Sequence, residues 1–355
     1  MRLRRLIAFG RKEFLQMVRD PSSALIAFVQ PLLLLLLFGY GISLDLREIG
    51  LALVVEEPSE RLSEITAPFF HNPTYRPREA SSLQQGERWL ERGEVKALLY
   101  LRHDFTRRLK AQLLVDGIDA NSARIVEGYL VSTLAAVVPF SDRRLEPRVW
   151  FNETVESRRF LIPGILGVIM TLVGGMLTAL VVAREWERGT IEFLLASPIS
   201  RFELLLGKTV PYFLFGTGSF LFSLTLALFL FKVPFRGSFP FLWLGASLFL
   251  LTTLAIGLFI SASTRNQFLA SQLTLLTTLL PAYLLSGLLF EISSMPRPIQ
   301  LLTYLVPARY FVPILKGEFL AGHVPSLFWS NASVLAFMAL LFLTLTFLKL
   351  GRSLE

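Results

Sequence analysis

The stretch Val181–Ser200, VVAREWERGTIEFLLASPIS, decides how this chain is read. It sets Arg184, Glu185, Glu187 and Arg188 within five positions, between two long apolar runs. Arg184–Arg188 continue the preceding helix into water. Gly189 breaks that helix, and Thr190 is placed to cap a new short one. The new helix runs through Ile191-Glu192-Phe193-Leu194-Leu195 and stops before Pro198. Ile191, Leu194 and Leu195 share one face by their spacing. A two-turn helix is not stable alone in water, so it needs a surface. Two surfaces fit: this protein's own helix ends, or a groove in a cytoplasmic partner, with the charges fixing register.

Six apolar segments surround this stretch: Ala24–Ile42, Leu161–Ala183, Thr209–Phe231, Phe239–Ile260, Gln267–Phe290 and Leu327–Leu348. None contains Asp, Glu, Lys or Arg. Each is long enough to cross a hydrocarbon core of about 30 Å at about 1.5 Å per residue. Buried helices of a large soluble protein keep a polar stripe, which these lack. A cleaved leader is disfavoured for the first segment, because about 20 residues of basic chain precede it, long for a signal n-region. Those residues include LIAFGRKEFLQMVRD, an amphipathic surface helix with its basic side towards headgroups.

Charge sets the orientation. The chain carries a net charge of +8, but Asp45–Phe160 holds 17 basic and 18 acidic residues. The excess therefore belongs to the membrane part, which argues against nucleic-acid binding and for the bias of Lys and Arg towards the cytoplasm. With a cytoplasmic N-terminus, the inner segments carry 13 Lys and Arg and the short outer ones carry 5. Both termini are then inside, and the long loop is outside.

The expected fold class is an α-helical polytopic membrane protein with six transmembrane helices and an extracytoplasmic α/β domain between the first and second spans. Its parts are a surface helix (1–23), the first span (24–42), the outside domain (43–160) and spans two to six (161–355). The last part includes the charged segment (184–200) and an outer segment (291–325). In the domain, Ile49–Val55, Lys96–Leu101 and Ala111–Asp116 read as strands. Ser82–Gly93 and Ala120–Val138 read as helices, with Asn121 or Ser122 as an N-cap of the second. Pro296, Pro298, Pro307 and Pro313 cut the outer segment into short pieces. It reads as two short re-entrant helices or as a folded surface loop. Re-entrant backbone is tolerated where protein or water satisfies it.

Chemistry-bearing patterns are few. Gly207-Lys208-Thr209 resembles the end of a phosphate loop, but Phe202 stands where the motif needs glycine, and no strand precedes it. Lys208 reads instead as an anchor at the cytoplasmic end of a span. His71, His103 and His323 are far apart, and cysteine is absent, so no metal site or catalytic residue is expected. Gln30 and Gln272 are the most polar residues inside spans, placed for helix–helix hydrogen bonds. Glu291, at the outer end of the fifth span, reads as a wetted interfacial carboxylate or as part of a path. No acidic residue lies within a span, which weakens ion-coupled transport and channel readings.

At VVAREWERGTIEFLLASPISRFELLLGK the chain resembles the permease subunits of type-two ATP-binding-cassette (ABC) exporters, close to bacterial multidrug-export permeases. RKEFLQMVRDPSSALIAFVQPLLLLLLFGYGI is similar to their surface helix and first span. SASTRNQFLASQLTLLTTLLPAYLLSGLLFEISSMPRPIQLLTYLVPARYFV is similar to their fifth span and the re-entrant part after it. The resemblance implies that 184–200 is a coupling helix docking in a separate ATPase subunit. Its docking residues would be Arg184, Glu185, Trp186, Glu187, Arg188, Gly189, Thr190, Glu192, Leu194 and Leu195. ATP and Mg would be bound by that ATPase, with no cofactor in this chain. A second permease subunit (identical or paralogous), membrane lipid and a periplasmic adaptor are the further expected partners. The implied location is the bacterial inner membrane, and the implied function is export of lipophilic or drug-like substrates. The competing reading is a membrane-anchored sensor or assembly factor whose outside domain binds a ligand or partner.

Overall fold

A computed structural model describes residues 3–41, 49–56, 60–102, 111–115, 120–137, 157–190, 199–290 and 292–352. The chain divides into two compact units: Met1–Ile42 with Glu156–Glu355, and Ser43–Val155.

The first unit is helical. Six helices are long and apolar enough to cross a membrane: Pro21–Tyr40, Leu161–Glu187, Arg201–Leu230, Phe239–Thr264, Gln267–Leu285 and Pro325–Leu350. They are called the first to sixth spans below. All six expected segments are present, with shifted ends. The third begins at Arg201 rather than Thr209, where Ser200 and Glu203 form a capping box. Lys208, expected at a helix end, therefore lies two turns inside the helix and only 1% exposed. The fifth span stops at Leu285, before the expected Phe290, and Gly287 follows with a φ of 80°.

The second span is the axis of this unit, with 89% of its apolar window buried, against 28% in the first and 22% in the fifth. Glycines let it pack closely. A Cβ on Gly174 would overlap Thr253, and one on Gly257 would overlap the Gly175 carbonyl oxygen. The Thr178 hydroxyl donates to the Leu254 carbonyl at 2.9 Å, tying the second span to the fourth. Three spans contain wide π-turns: Leu25–Val29 and Leu37–Gly41 near the first, Leu226–Leu230 in the third, and Leu275–Leu279 in the fifth.

The N-terminal helix, Leu3–Val18, is amphipathic as expected. Phe9, Glu13 and Met17 are buried, whereas Ile7, Phe14, Leu15 and Val18 are exposed. The outer segment forms two short helices, Arg297–Thr303 and Ala308–Lys316. The second lies against Gly167 through Val312, Leu315 and Phe311, and Phe311 stacks on Phe249 at 4.3 Å. On the first, Leu301 and Leu302 stay exposed, as does Leu305 just after it.

The second unit is an α/β module. Its four-stranded sheet has the order β2-β1-β3-β4, with β1 Ile49–Val55, β2 Tyr75–Glu79, β3 Ala97–Leu101 and β4 Ala111–Val115. β1 is parallel to β2 and β3, and β4 is antiparallel to β3. Side chains alternate across the sheet. Ile49, Leu51, Leu53, Leu99 and Leu101 join a core with the helices Glu60–His71 and Ala120–Val137. Ala52, Val54 and Leu98 pack on the other face, against the helix Leu83–Glu91. Both faces of β1 are covered, which is why IGLALVV is a continuous apolar run. Ser82 caps the Leu83 helix. Asn121 and Ser122, expected as caps, fall inside the helix from Ala120.

Candidate coupling site

The end of the second span is built by a break and a turn. The helix Ser157–Ala179 stops, and Val181–Glu187 restarts one residue later. The N–H groups of Val182 and Ala183 donate to the Ser261 hydroxyl of the fourth span, at 3.0 and 2.9 Å. At the other end, Gly189 N–H donates to the Trp186 carbonyl and Thr190 N–H to the Glu185 carbonyl. Gly189 has a φ of 65°. This is the Schellman pattern, in which a left-handed glycine satisfies the last carbonyls. Gly189 thus fixes the direction in which the chain leaves the membrane helices.

Four of the expected docking residues find partners within the chain. Arg184 donates both guanidinium nitrogens to Asp20 Oδ2, at 3.1 and 3.2 Å. Burial would raise the Asp20 carboxyl pKa. Arg184, by charge and hydrogen bond, together with Ser22 N–H and the Ser23 hydroxyl, holds it below the ordinary value instead. Glu185 is buried and lies 2.8 Å from Lys208 Nζ. Its second oxygen, Oε2, has no hydrogen-bond partner among the described residues. The Trp186 ring carries the Arg265 guanidinium 4.2 Å from its centre. Glu187 accepts from the Gln267 backbone N–H at 2.8 Å and from the Gln267 side chain, at the start of the fifth span.

Arg188, Gly189 and Thr190 are exposed. Glu192, Leu194 and Leu195, and with them the body of the expected short helix, lie outside the described residues, as does Glu291. The charged cluster therefore braces the first, third, fourth and fifth spans, while the turn after it faces outward.

Sequence reasoning missed Glu13, Asp20, Gln267 and the buried role of Lys208. Only Asp20 carried a local signal, since Asp before Pro-Ser-Ser reads as an N-cap. Gly207-Lys208-Thr209 also gains an explanation. A Cβ on Gly207 would overlap the Phe9 ring, so glycine admits the N-terminal helix at this point. Lys208 pairs with carboxylates, and Thr209 donates to the Leu205 carbonyl.

A second feature lies between the first, second and fifth spans. A cavity of about 420 Å³ is lined by Leu34, Phe38, Ile169 and Leu276, with Gln30 and Tyr283 supplying its polar groups. Its size and apolar lining fall within the range of small-molecule sites.

Six membrane-length helices define a polytopic membrane protein. The chain belongs to the ABC-2 family of transporter proteins, whose family model matches residues 22–348. It is 40% identical to the probable multidrug ABC transporter permease YbhS of Escherichia coli (strain K12), across 99% of this chain and 98% of that protein. It is 27% identical to the probable multidrug ABC transporter permease YbhR of the same organism, across 92% of this chain and 93% of that protein. The inner membrane transport permease YhhJ of that strain is 25% identical, across 99% of this chain and 98% of that protein.

Proposed function

We propose that this chain is the permease subunit of an ATP-driven exporter that moves lipophilic, drug-like molecules out of the cytoplasm or the inner leaflet. A separate ATPase subunit binds ATP and Mg and docks against residues 187–200. A second permease subunit, identical or paralogous, completes the path. The similarity to YbhS and YbhR, both probable multidrug ABC transporter permeases, supports the substrate class. The cavity beside Gln30 and Tyr283 is the substrate site in this reading. The charge bias of the short loops supports a reading with both termini in the cytoplasm and the α/β module outside.

The observation that carries the reading is the turn at Gly189. The second span is braced up to Glu187, and Arg188, Gly189 and Thr190 are then presented on the surface. A push on that surface reaches the membrane helices directly, because the preceding residues are fixed to the first, third, fourth and fifth spans and to the N-terminal helix. ATP-driven closure of the ATPases moves the turn and shifts the bundle between two arrangements.

Arg188→Glu tests this. The residue is exposed, so stability changes by less than about 0.5 kcal/mol. The ATPase is expected to stop co-purifying, and dye export by the co-expressed complex is expected to fall at least tenfold. Unchanged co-purification and export reject the docking surface.

A further inference from the structure

Four charged side chains converge under the N-terminal helix. Lys12 and Glu13 come from that helix, Glu185 from the end of the second span, and Lys208 from the third. The Lys208 side chain is 1% exposed and that of Glu13 is 3% exposed. Two lysines face two glutamates, so the formal charges cancel.

Such a cluster is poor glue. Buried ion pairs lose much of their attraction to desolvation, and apolar replacements of equal volume are often as stable or more so. The distances point to another use. Glu13 Oε1 lies 2.9 Å from Lys12 Nζ and 3.6 Å from Lys208 Nζ. Glu185 Oε1 lies 2.8 Å from Lys208 Nζ and 3.9 Å from Lys12 Nζ. Each carboxylate is thus already within ion-pair range of both ammonium groups. A displacement of about 1 Å, typical of helix shifts in switching proteins, exchanges the partners without stranding a charge. The Phe9 ring seats both cations almost equally, at 5.6 and 5.7 Å from its centre.

We propose that Lys208 is a positioning residue for coupling. It holds Glu185 in one arrangement of the second span. It passes that carboxylate to Lys12, and takes Glu13 in exchange, in the other. The third span and the N-terminal helix then follow the second span between two discrete positions. This rests on the exporter reading above and adds to it the joint through which the motion spreads.

The test uses the full complex with its ATPase in proteoliposomes. The chain has no cysteine, so single cysteines at the exposed positions Arg11 and Ser263 accept spin labels cleanly. In the wild type, ATP with vanadate is expected to populate a second label distance. Lys208→Arg keeps the charge, but its planar fork grips two carboxylates at once and freezes the joint. The second distance is expected to disappear, and export of the lipophilic dye ethidium to fall at least tenfold. Thermal stability, the KM for ATP and ATPase co-purification should stay unchanged. The triple replacement Glu13→Leu, Glu185→Leu, Lys208→Met is expected to fold as well as the wild type and to lose the second distance too. If it does not fold, Lys208→Arg alone decides.

A Lys208→Arg complex that responds to nucleotide like the wild type overturns the proposal and leaves the exporter reading standing. A wild type that binds no ATPase and shows no nucleotide response overturns both.

Discussion

Two stretches of the second span are held by different physics. From Gly164 to Thr178 the contacts are dry: glycines admit neighbouring backbone and methyl groups, and one threonine hydroxyl crosses to the fourth span. From Val181 to Glu187 the contacts involve charge: Arg184 pairs with Asp20, Glu185 pairs with Lys208, and the Glu187 carboxylate accepts hydrogen bonds from the neutral Gln267. Close packing has one good arrangement and resists displacement. An ion cluster with spare partners has several. The difference assigns rigidity to the middle of the span and adjustable contact to its end.

The strongest way to break this comparison is to remove one charge. Lys208→Met alone leaves two buried carboxylates, Glu13 and Glu185, with one half-exposed cation, Lys12, between them. An uncompensated buried charge costs about 3–5 kcal/mol. The purified protein in detergent should melt well below the wild type, whereas the triple apolar replacement should not. Equal melting of the single variant and the wild type would show that the carboxylates are relieved in some other way.

On the dry side, Gly257→Ala drives a methyl into the Gly175 carbonyl oxygen, and backbone cannot rotate aside. Overpacking of this kind costs about 1–3 kcal/mol. A thermal melt of the variant checks it, and no loss would mean that the two helices separate easily.

The smallest effect is expected at Asp20→Asn, which removes the charge opposite Arg184. The pair is about four-fifths buried and is worth about 1 kcal/mol at neutral pH. Its sign with pH is fixed. The folded carboxyl titrates below its ordinary value of 3.8, so its contribution is present above that value and lost as pH falls through the folded pKa. The stability difference between wild type and Asp20→Asn should therefore shrink as the pH drops below about 4. A difference independent of pH would assign Asp20 to helix capping alone.

Much of this architecture was legible in the sequence. Charge-free runs marked all six spans, because lipid excludes charge. The same rule starts the third span too late, at Thr209, because the helix already contains the charged Arg201, Glu203 and Lys208. Yet Ser200-Arg201-Phe202-Glu203 carries the capping-box spacing, so that boundary was readable from local chemistry. β1, β3 and β4 stood out as apolar. β2, with the sequence YRPRE, did not, since an edge strand needs neither an apolar face nor every N–H. The segment 184–190 was recognisable as a charged turn, but the partners of its residues were not. Glu13, Glu185 and Lys208 are remote in sequence, and no periodicity links them. Only the folded chain shows that Glu185, expected to dock a partner, is turned inward to Lys208.

The π-turns have a consequence for the cavity. One extra residue in a helix rotates everything beyond it by about 100°. Gln30 directly follows the turn at Leu25–Val29, and Tyr283 follows the turn at Leu275–Leu279. The two polar groups of the cavity thus owe their angular phase to irregular turns, not to the average winding of their helices. Wound as a regular α-helix with every residue kept, the fifth span would turn Tyr283 by about 100° and take a polar group from the cavity wall. A one-residue deletion at Thr277 would instead remove the extra residue that the π-turn absorbs and leave Tyr283 facing the cavity.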